Sequence, residues 1–130
     1  MIVVDASVVI EVLLRTSAAE EVEAWLFSSR ESLHAPHLID IEVAHALRRL
    51  AAAQEVSTRR GGEVLADMAN FPLVRYRHDL FLARIWELRH NLSAYDAAYV
   101  ALAEALAVPL VTRDQRLAKA RGHRAKVEVV

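Results

Sequence analysis

A chain of 130 residues, 55% of them apolar, suits one compact domain over residues 1–130 that buries a continuous core without staples. It contains no cysteine, which excludes disulfides and thiolate-bound zinc or iron–sulfur centres, so any metal must sit on oxygen or imidazole. The net charge of −1 gives no general nucleic-acid-binding surface, and the apolar runs are too short and too often broken by charge for a membrane span or a secretory leader, so a cytoplasmic location is expected.

Ile2-Val3-Val4 is a short β-branched run, followed at once by Asp5-Ala6-Ser7 and a helical stretch to Leu14: strand, turn, helix. Residues 17–29 place Val22, Trp25 and Leu26 on one face behind Ser17 as an N-cap, and Leu33 to Ala35 form a second strand. Pro36 is expected in the first turn of a helix to about Ala53, with Ile39, Val43, Ala46, Leu47 and Leu50 as its apolar arc. A further helix starts at the Ser57 cap and runs to Ala69, through Gly61-Gly62, and Phe71 to Val74 lead into a third strand. Residues 78–90 have helical spacing; Ser93 caps an alanine-rich helix through Leu106; Pro109 to Thr112 form a fourth strand, Asp114 to Ala120 a short helix, and Val127 to Val130 a last strand.

Helices alternating with uniformly apolar strands indicate an α/β fold whose parallel sheet is covered on both faces. Ligands of such sheets bind beyond the carboxyl ends of the strands, where the strand order reverses. Charge is unevenly spread. Residues 1–47 hold Asp5, Glu11, Glu20, Glu21, Glu23, Glu31, Asp40 and Glu42 against Arg15 and Arg30 alone. Residues 113–126 set Arg113, Arg116, Lys119, Arg121, Arg124 and Lys126 around one acid, Asp114, which reads either as a solvated face or as a phosphate-attracting rim, with Arg113 and Arg116 nearest the acid.

Asp5 directly follows the first strand and Asp114 lies two residues after the fourth, so both reach one sheet edge if those strands are neighbours. Asp96 is in the first turn of its helix, and Glu42 flanks the apolar arc of its own. Plain alternatives exist: Ser93 and Asp96 form an S-x-x-D capping box, Asp114 can cap a helix, and Glu42 can reach water. Asp5 is harder to explain as surface decoration, because a buried strand rarely needs a charge at its end. Four gathered carboxylates repel unless a cation joins them, and oxygen-only ligation suits Mg²⁺ or Mn²⁺, ions that activate water and stabilise a leaving oxygen in phosphodiester hydrolysis. No phosphate-binding glycine loop, serine elbow or H-E-x-x-H helix competes. Trp25, Phe81 and Trp86 read as core or dimer contacts.

Asp5 and Ser7 after I-V-V, Glu42 in H-L-I-D-I-E-V-A-H-A-L-R-R, Asp96 in S-A-Y-D-A-A-Y-V-A-L-A and Asp114 in L-V-T-R-D-Q-R-L resemble, in order and spacing over nearly the whole chain, the PIN-domain ribonucleases, specifically VapC-type toxins. The resemblance implies a three-layer α/β/α fold with a five-stranded parallel sheet. It also implies that Asp5, Glu42, Asp96 and Asp114 are the catalytic, metal-holding quartet, with Ser7 and Thr112 as supporting polar groups. The function implied is the toxin of a type II toxin–antitoxin pair, a homodimeric endoribonuclease cutting structured RNA such as tRNA or ribosomal RNA. Its partner would be an antitoxin that blocks the acidic pocket, typically with a basic side chain. Asp40 lies about 200° around the helix from Glu42, so only one of them can face the pocket. The rival readings are a non-catalytic RNA- or protein-binding module of the same fold, and a phospho-acceptor domain. The latter would want an acidic pair after strand one and an acid after strand three, where this chain has a lone Asp5 and then Arg75 and Arg77.

Overall fold

The computed structural model describes residues 1–28 and 30–130. Five strands, β1 (Ile2–Val4), β2 (Leu33–Pro36), β3 (Leu73–Tyr76), β4 (Leu110–Thr112) and β5 (Val127–Val129), form one parallel sheet in the order β3-β2-β1-β4-β5. The chain first builds outward from β1 to β3 and then returns to lay β4 on the other side of β1, so the order reverses between β1 and β4. Val3 pairs with Leu110 and Val4 with Val111, and the Asp5 N–H still reaches the Val111 carbonyl at 3.2 Å. The two strand ends that carry Asp5 and Thr112 are therefore side by side.

The helices are α1 (Ala6–Leu14), α2 (Ala19–Ser28), α3 (Leu38–Ala52), α4 (Thr58–Ala69), α5 (Leu82–Glu87), α6 (Ala94–Leu106) and α7 (Gln115–Lys119). They cover the sheet as the outer layers of an α/β/α sandwich. Helix α6 is buried without interruption from Ala97 to Ala103 and packs on β1, β2 and β4. Its alanines let the helix backbone sit close to the sheet. Helix α1 packs on β4 and is bracketed by α2, α3 and α4. Val3, Val4, Val8, Val9, Leu33, Ile39, Leu102 and Leu110 are among the fully buried side chains joining these layers, each worth about 1.5–3 kcal/mol over its exposed state. No helix of the described residues is long and apolar enough to cross a membrane.

Ser57 and Ser93 cap α4 and α6 as expected, accepting from Arg60 N–H and Asp96 N–H. Several boundaries differ from the sequence expectation. Pro36 ends β2 opposite Tyr76 instead of starting a helix; the His37 N–H bonds the Tyr76 carbonyl at 2.7 Å, which keeps the chain on the sheet until α3 begins at Leu38. Helix α2 starts at Ala19, whose N–H reaches Thr16 rather than a Ser17 cap, and the expected end at residue 29 lies outside the described residues. Strand β3 starts at Leu73, after Pro72, which has no N–H to give. The expected helix over 78–90 is a 3₁₀ turn at Asp79–Phe81 and the short α5. Trp86 on α5 is 68% exposed, with the Arg89 guanidinium over its ring at 4.5 Å, so it is not part of the core.

Candidate active site

Asp5 is the N-cap of α1, accepting from Val8 N–H, and is 9% exposed at the floor of the strand-reversal crevice. Two hydroxyls hold it: Ser7 Oγ donates to Oδ1 and Thr112 Oγ1 donates to Oδ2. Each hydroxyl in turn accepts from the loop after β4. The Arg113 N–H reaches Ser7 Oγ at 3.0 Å and the Asp114 N–H reaches Thr112 Oγ1 at 2.9 Å. This closed set of bonds explains both hydroxyl positions: a hydroxyl that must accept from a backbone amide can spend its one proton only on the carboxylate. Burial pushes the Asp5 carboxyl above its usual range, and the bonds from Ser7 and Thr112 pull against that.

Glu42 reaches the same crevice from α3, and Asp96 from the first turn of α6. A cavity of about 710 Å³ is lined by Ser7, Glu42 and Asp96 together, and a second of about 250 Å³ by Asp96 and Asp114, so Asp96 stands between the two. Burial raises Glu42, the neighbouring Tyr99 hydroxyl pulls against it, and the charges of Asp5 and Asp96 raise it further. Burial likewise raises Asp96, with Asp114 adding to it, while Ser93 and the charge of Arg116 pull the other way. The four carboxylates thus feel one another in series around one cleft. Asp114 differs: it caps α7, accepts from the Arg116 N–H at 2.8 Å, and is held below the usual carboxylate range by its bonds to Arg116. Asp40 faces elsewhere, in a two-pronged bond with Arg75 (2.9 Å on each oxygen), so Glu42 is the acid that α3 gives to the pocket.

Arg113 and Arg116 both flank the site. Arg113 is engaged behind it, with Glu11 at 3.4 Å and the Val130 carbonyl at 3.1 Å, while Arg116 is 93% exposed beside Asp114. Tyr99 was not singled out by the sequence, yet it is buried next to Glu42, and burial with the surrounding negative charge raises its phenol far above the usual value. Its i+3 relation to Asp96 on an amphipathic helix was the available signal. The Tyr99 hydroxyl lies beside Glu42 and pulls its proton affinity down, but the two do not meet in good hydrogen-bond geometry, which leaves that hydroxyl and Glu42 Oε1 buried without a well-formed bond. An orphaned carboxylate oxygen costs its full desolvation, and here it adjoins two further raised carboxylates.

That combination fits a hard divalent cation, whose oxygen ligands would include the orphaned Glu42 atom. The side chains are splayed, since among the described residues no three acids or histidines already converge on one point. The cleft therefore supplies the donor chemistry without a closed cage, as expected of an ion that keeps waters and shares its ligation with substrate phosphate.

A family model described as PIN domain matches residues 2–122. Ribonuclease VapC9 of Mycobacterium tuberculosis is 47% identical over 117 residues, covering 90% of this chain and 88% of that one. Ribonuclease VapC12 of the same organism is 41% identical over 130 residues, 100% of this chain and 99% of the relative. The structure of VapBC2 from Rickettsia felis, bound to a DNA fragment from their promoter, has a chain that superposes with a TM-score of 0.66 over 99% of this chain and 98% of its own, at 11% identity.

Proposed function

This chain belongs to the PIN-domain family, among the VapC-type ribonucleases, and from that premise we propose that Asp5, Glu42, Asp96 and Asp114 are the carboxylates with which it cuts RNA. It is an endoribonuclease, the toxin of a toxin–antitoxin pair, and its chemistry is that of a divalent-metal nuclease. We assign Mg²⁺ or Mn²⁺ as the metal, structured RNA such as tRNA or ribosomal RNA as the substrate, and a homodimer as the working form. The observation that supports the site assignment is that four acids from four separate elements are set around the strand-reversal crevice, with Asp5 buried at the end of β1 and Asp96 shared by the two cavities that Glu42 and Asp114 line.

Asp5 and Asp96 would hold the metal most directly, with Glu42 and Asp114 completing its surroundings. When bound, the metal lowers the pKa of water and stabilises developing charge on the phosphodiester oxygens. The protein's own residues do the rest. Ser7 and Thr112 fix the plane of the Asp5 carboxylate by taking one oxygen each. Glu42, half-buried on the wall of the cleft, orients the attacking water. Arg116, exposed at the rim, draws phosphate toward the cleft, and Arg113 supports the loop through its backbone N–H.

The test is incubation of antitoxin-free protein with total tRNA and ribosomal RNA in Mg²⁺ or Mn²⁺, against chelator and Asp5→Asn controls. Discrete fragments absent from both controls are expected. A folded, metal-loaded protein that cuts no RNA would return the assignment to a non-catalytic binding module, and an Asp5→Asn variant with unchanged turnover would remove Asp5 from the site.

A further inference from the structure

Helix α1 makes a second polar contact with the loop after β4, one turn beyond the first. Ser7 Oγ accepts from the Arg113 N–H at 3.0 Å. Glu11, four residues later and so on the same face, takes the Arg113 guanidinium, with Nε 3.4 Å from Oε1. The other Glu11 oxygen accepts from the Thr16 hydroxyl in the turn after the helix. Arg113 Nη1 donates to the Val130 carbonyl at 3.1 Å, and the Val130 N–H returns to the Thr112 carbonyl at 3.0 Å. One arginine is therefore fastened at its amide and at two of its guanidinium nitrogens, and the Glu11 and Arg113 side chains are only 25% and 33% exposed.

The chain neighbours of Arg113 give this fastening its consequence. Thr112 donates to Asp5 and accepts from the Asp114 N–H, and Asp114 lines the cavity that Asp96 shares. A shift of the backbone at residue 113 would displace both the hydroxyl that holds Asp5 and the carboxylate of Asp114. An ion pair at this exposure adds little stability by itself, so what Glu11 supplies is direction. The planar guanidinium can set Nε on one acceptor and Nη1 on another at the same time, which the point charge of a lysine cannot do. A guanidinium spent on Glu11 and the Val130 carbonyl is also withheld from phosphate, the role its place in the charge run suggested.

We infer that Glu11 is a positioning residue for the cleavage reaction: by holding the Arg113 guanidinium it fixes the loop after β4 against α1, and so sets Asp5 and Asp114 in place for the metal. The inference rests on the proposed function, since it takes those carboxylates to be the cutting site. Glu11 touches neither metal nor RNA; it acts through Arg113, then through Ser7 and Thr112.

The experiment measures Mn²⁺ affinity by electron paramagnetic resonance and, separately, kcat and KM for cleavage of a labelled RNA. The proteins compared are the wild type, Glu11→Ala, Glu11→Gln, Arg113→Lys, Arg113→Ala and the double variant Glu11→Ala with Arg113→Ala. Glu11→Ala is expected to weaken Mn²⁺ binding and to lower kcat by about 10-fold each, the lower end of what loss of a group behind a metal ligand costs, with KM for RNA unchanged. Its melting temperature should fall by about 5 °C or less. Glu11→Gln still offers an oxygen to Arg113 and should recover most of the loss, whereas Arg113→Lys keeps the charge and should behave like Glu11→Ala. The double variant should be no worse than Arg113→Ala, because Glu11 acts through that residue. Wild-type Mn²⁺ affinity and kcat in Glu11→Ala and Arg113→Lys would overturn the inference. So would losses that multiply in the double variant, or a rise in KM with Mn²⁺ affinity and kcat unchanged, which would give the pair to RNA binding instead. A wild-type protein that binds Mn²⁺ but cuts no RNA would overturn the proposed function, and the Mn²⁺ affinities of the variants would still decide whether Glu11 positions the carboxylates.

Discussion

Thr112→Val isolates the hydrogen-bonded ring around Asp5, because valine matches threonine in shape and the site is fully buried. The change removes a donor to Asp5 Oδ2 and an acceptor for the Asp114 N–H. A bond to a charged acceptor contributes about 1.5–3 kcal/mol and an abandoned buried amide costs about 1–3. The two losses share one hydroxyl and partly relax together, so a net destabilisation of about 2–4 kcal/mol is expected. For a chain of this size that is a fall in melting temperature of about 8–16 °C. Thr112→Ser keeps the hydroxyl and should recover most of it. Loss of a group that orients a metal ligand typically costs about 10- to 100-fold in metal affinity or activity, so cleavage should fall by that range in Thr112→Val at temperatures where the variant is still folded. Differential scanning fluorimetry and cleavage of a labelled RNA at 20–25 °C, roughly, measure both. A Thr112→Val protein that melts with the wild type and cuts at the wild-type rate would show that the hydroxyl does not hold Asp5.

Three further outcomes are expected. Asp5, Glu42 and Asp96 are all raised in the folded chain, so the stability they contribute is fully present below the ordinary carboxylate range and is lost as pH rises through their raised values. Chelated protein should then melt lower at neutral pH than at about pH 5, and Mg²⁺ or Mn²⁺ should raise the melting temperature most at the neutral end; a chelated protein most stable at neutral pH, with no metal effect, would contradict this. Asp40→Asn should cost about 1 kcal/mol through the Arg75 pair and leave cleavage intact, whereas Glu42→Gln should abolish cleavage and leave stability unchanged or higher; melting and RNA cleavage on both variants would show whether the two acids are distinguished as their positions require. Helix α6 ends on Ala107 at φ 55°, a left-handed conformation costing a non-glycine residue about 1–2 kcal/mol, so Ala107→Gly should raise the melting temperature by a few degrees without touching catalysis, and a lower melting point would refute the strain.

Much of this site could be read from the chain because its acids occupy positions that local structure fixes. Asp5 is placed by the end of a buried strand, Asp96 by a serine cap three residues earlier, and Asp114 by the turn that follows β4. Those features need no tertiary knowledge. What they leave open is whether β1 and β4 are neighbours, and that depends on strand pairing across more than a hundred residues. Tyr99 escaped notice because a tyrosine on an alanine-rich face looks like core, and only the arrival of Glu42 from α3 gives its hydroxyl a charged neighbour. Arg113 looked like a free cation for the same reason. Its engagement with Glu11 and the Val130 carbonyl joins three distant parts of the chain and cannot be seen in a local charge run. Pro36 was misplaced by a rule about helix starts that a ladder bond to Tyr76 overrides.

The arrangement also explains why a pocket so unfavourable on electrostatic grounds can be held together. No arginine bonds to Asp5, Glu42 or Asp96: Arg113 and Arg75 are bound to Glu11 and Asp40, and Arg116, bonded to Asp114, draws Asp96 down only through space. A guanidinium inside the crevice would stabilise the free protein, but it would also occupy the place of the metal. Instead, hydroxyls and backbone amides hold the floor, supplying direction with little charge, and the remaining repulsion is left for a cation from solution to relieve. The same deficit makes the crevice a target for any basic side chain that a partner can deliver. The sheet, whose β1 and β4 end together, pays for a site that is poor in stability when empty and selective in what fills it.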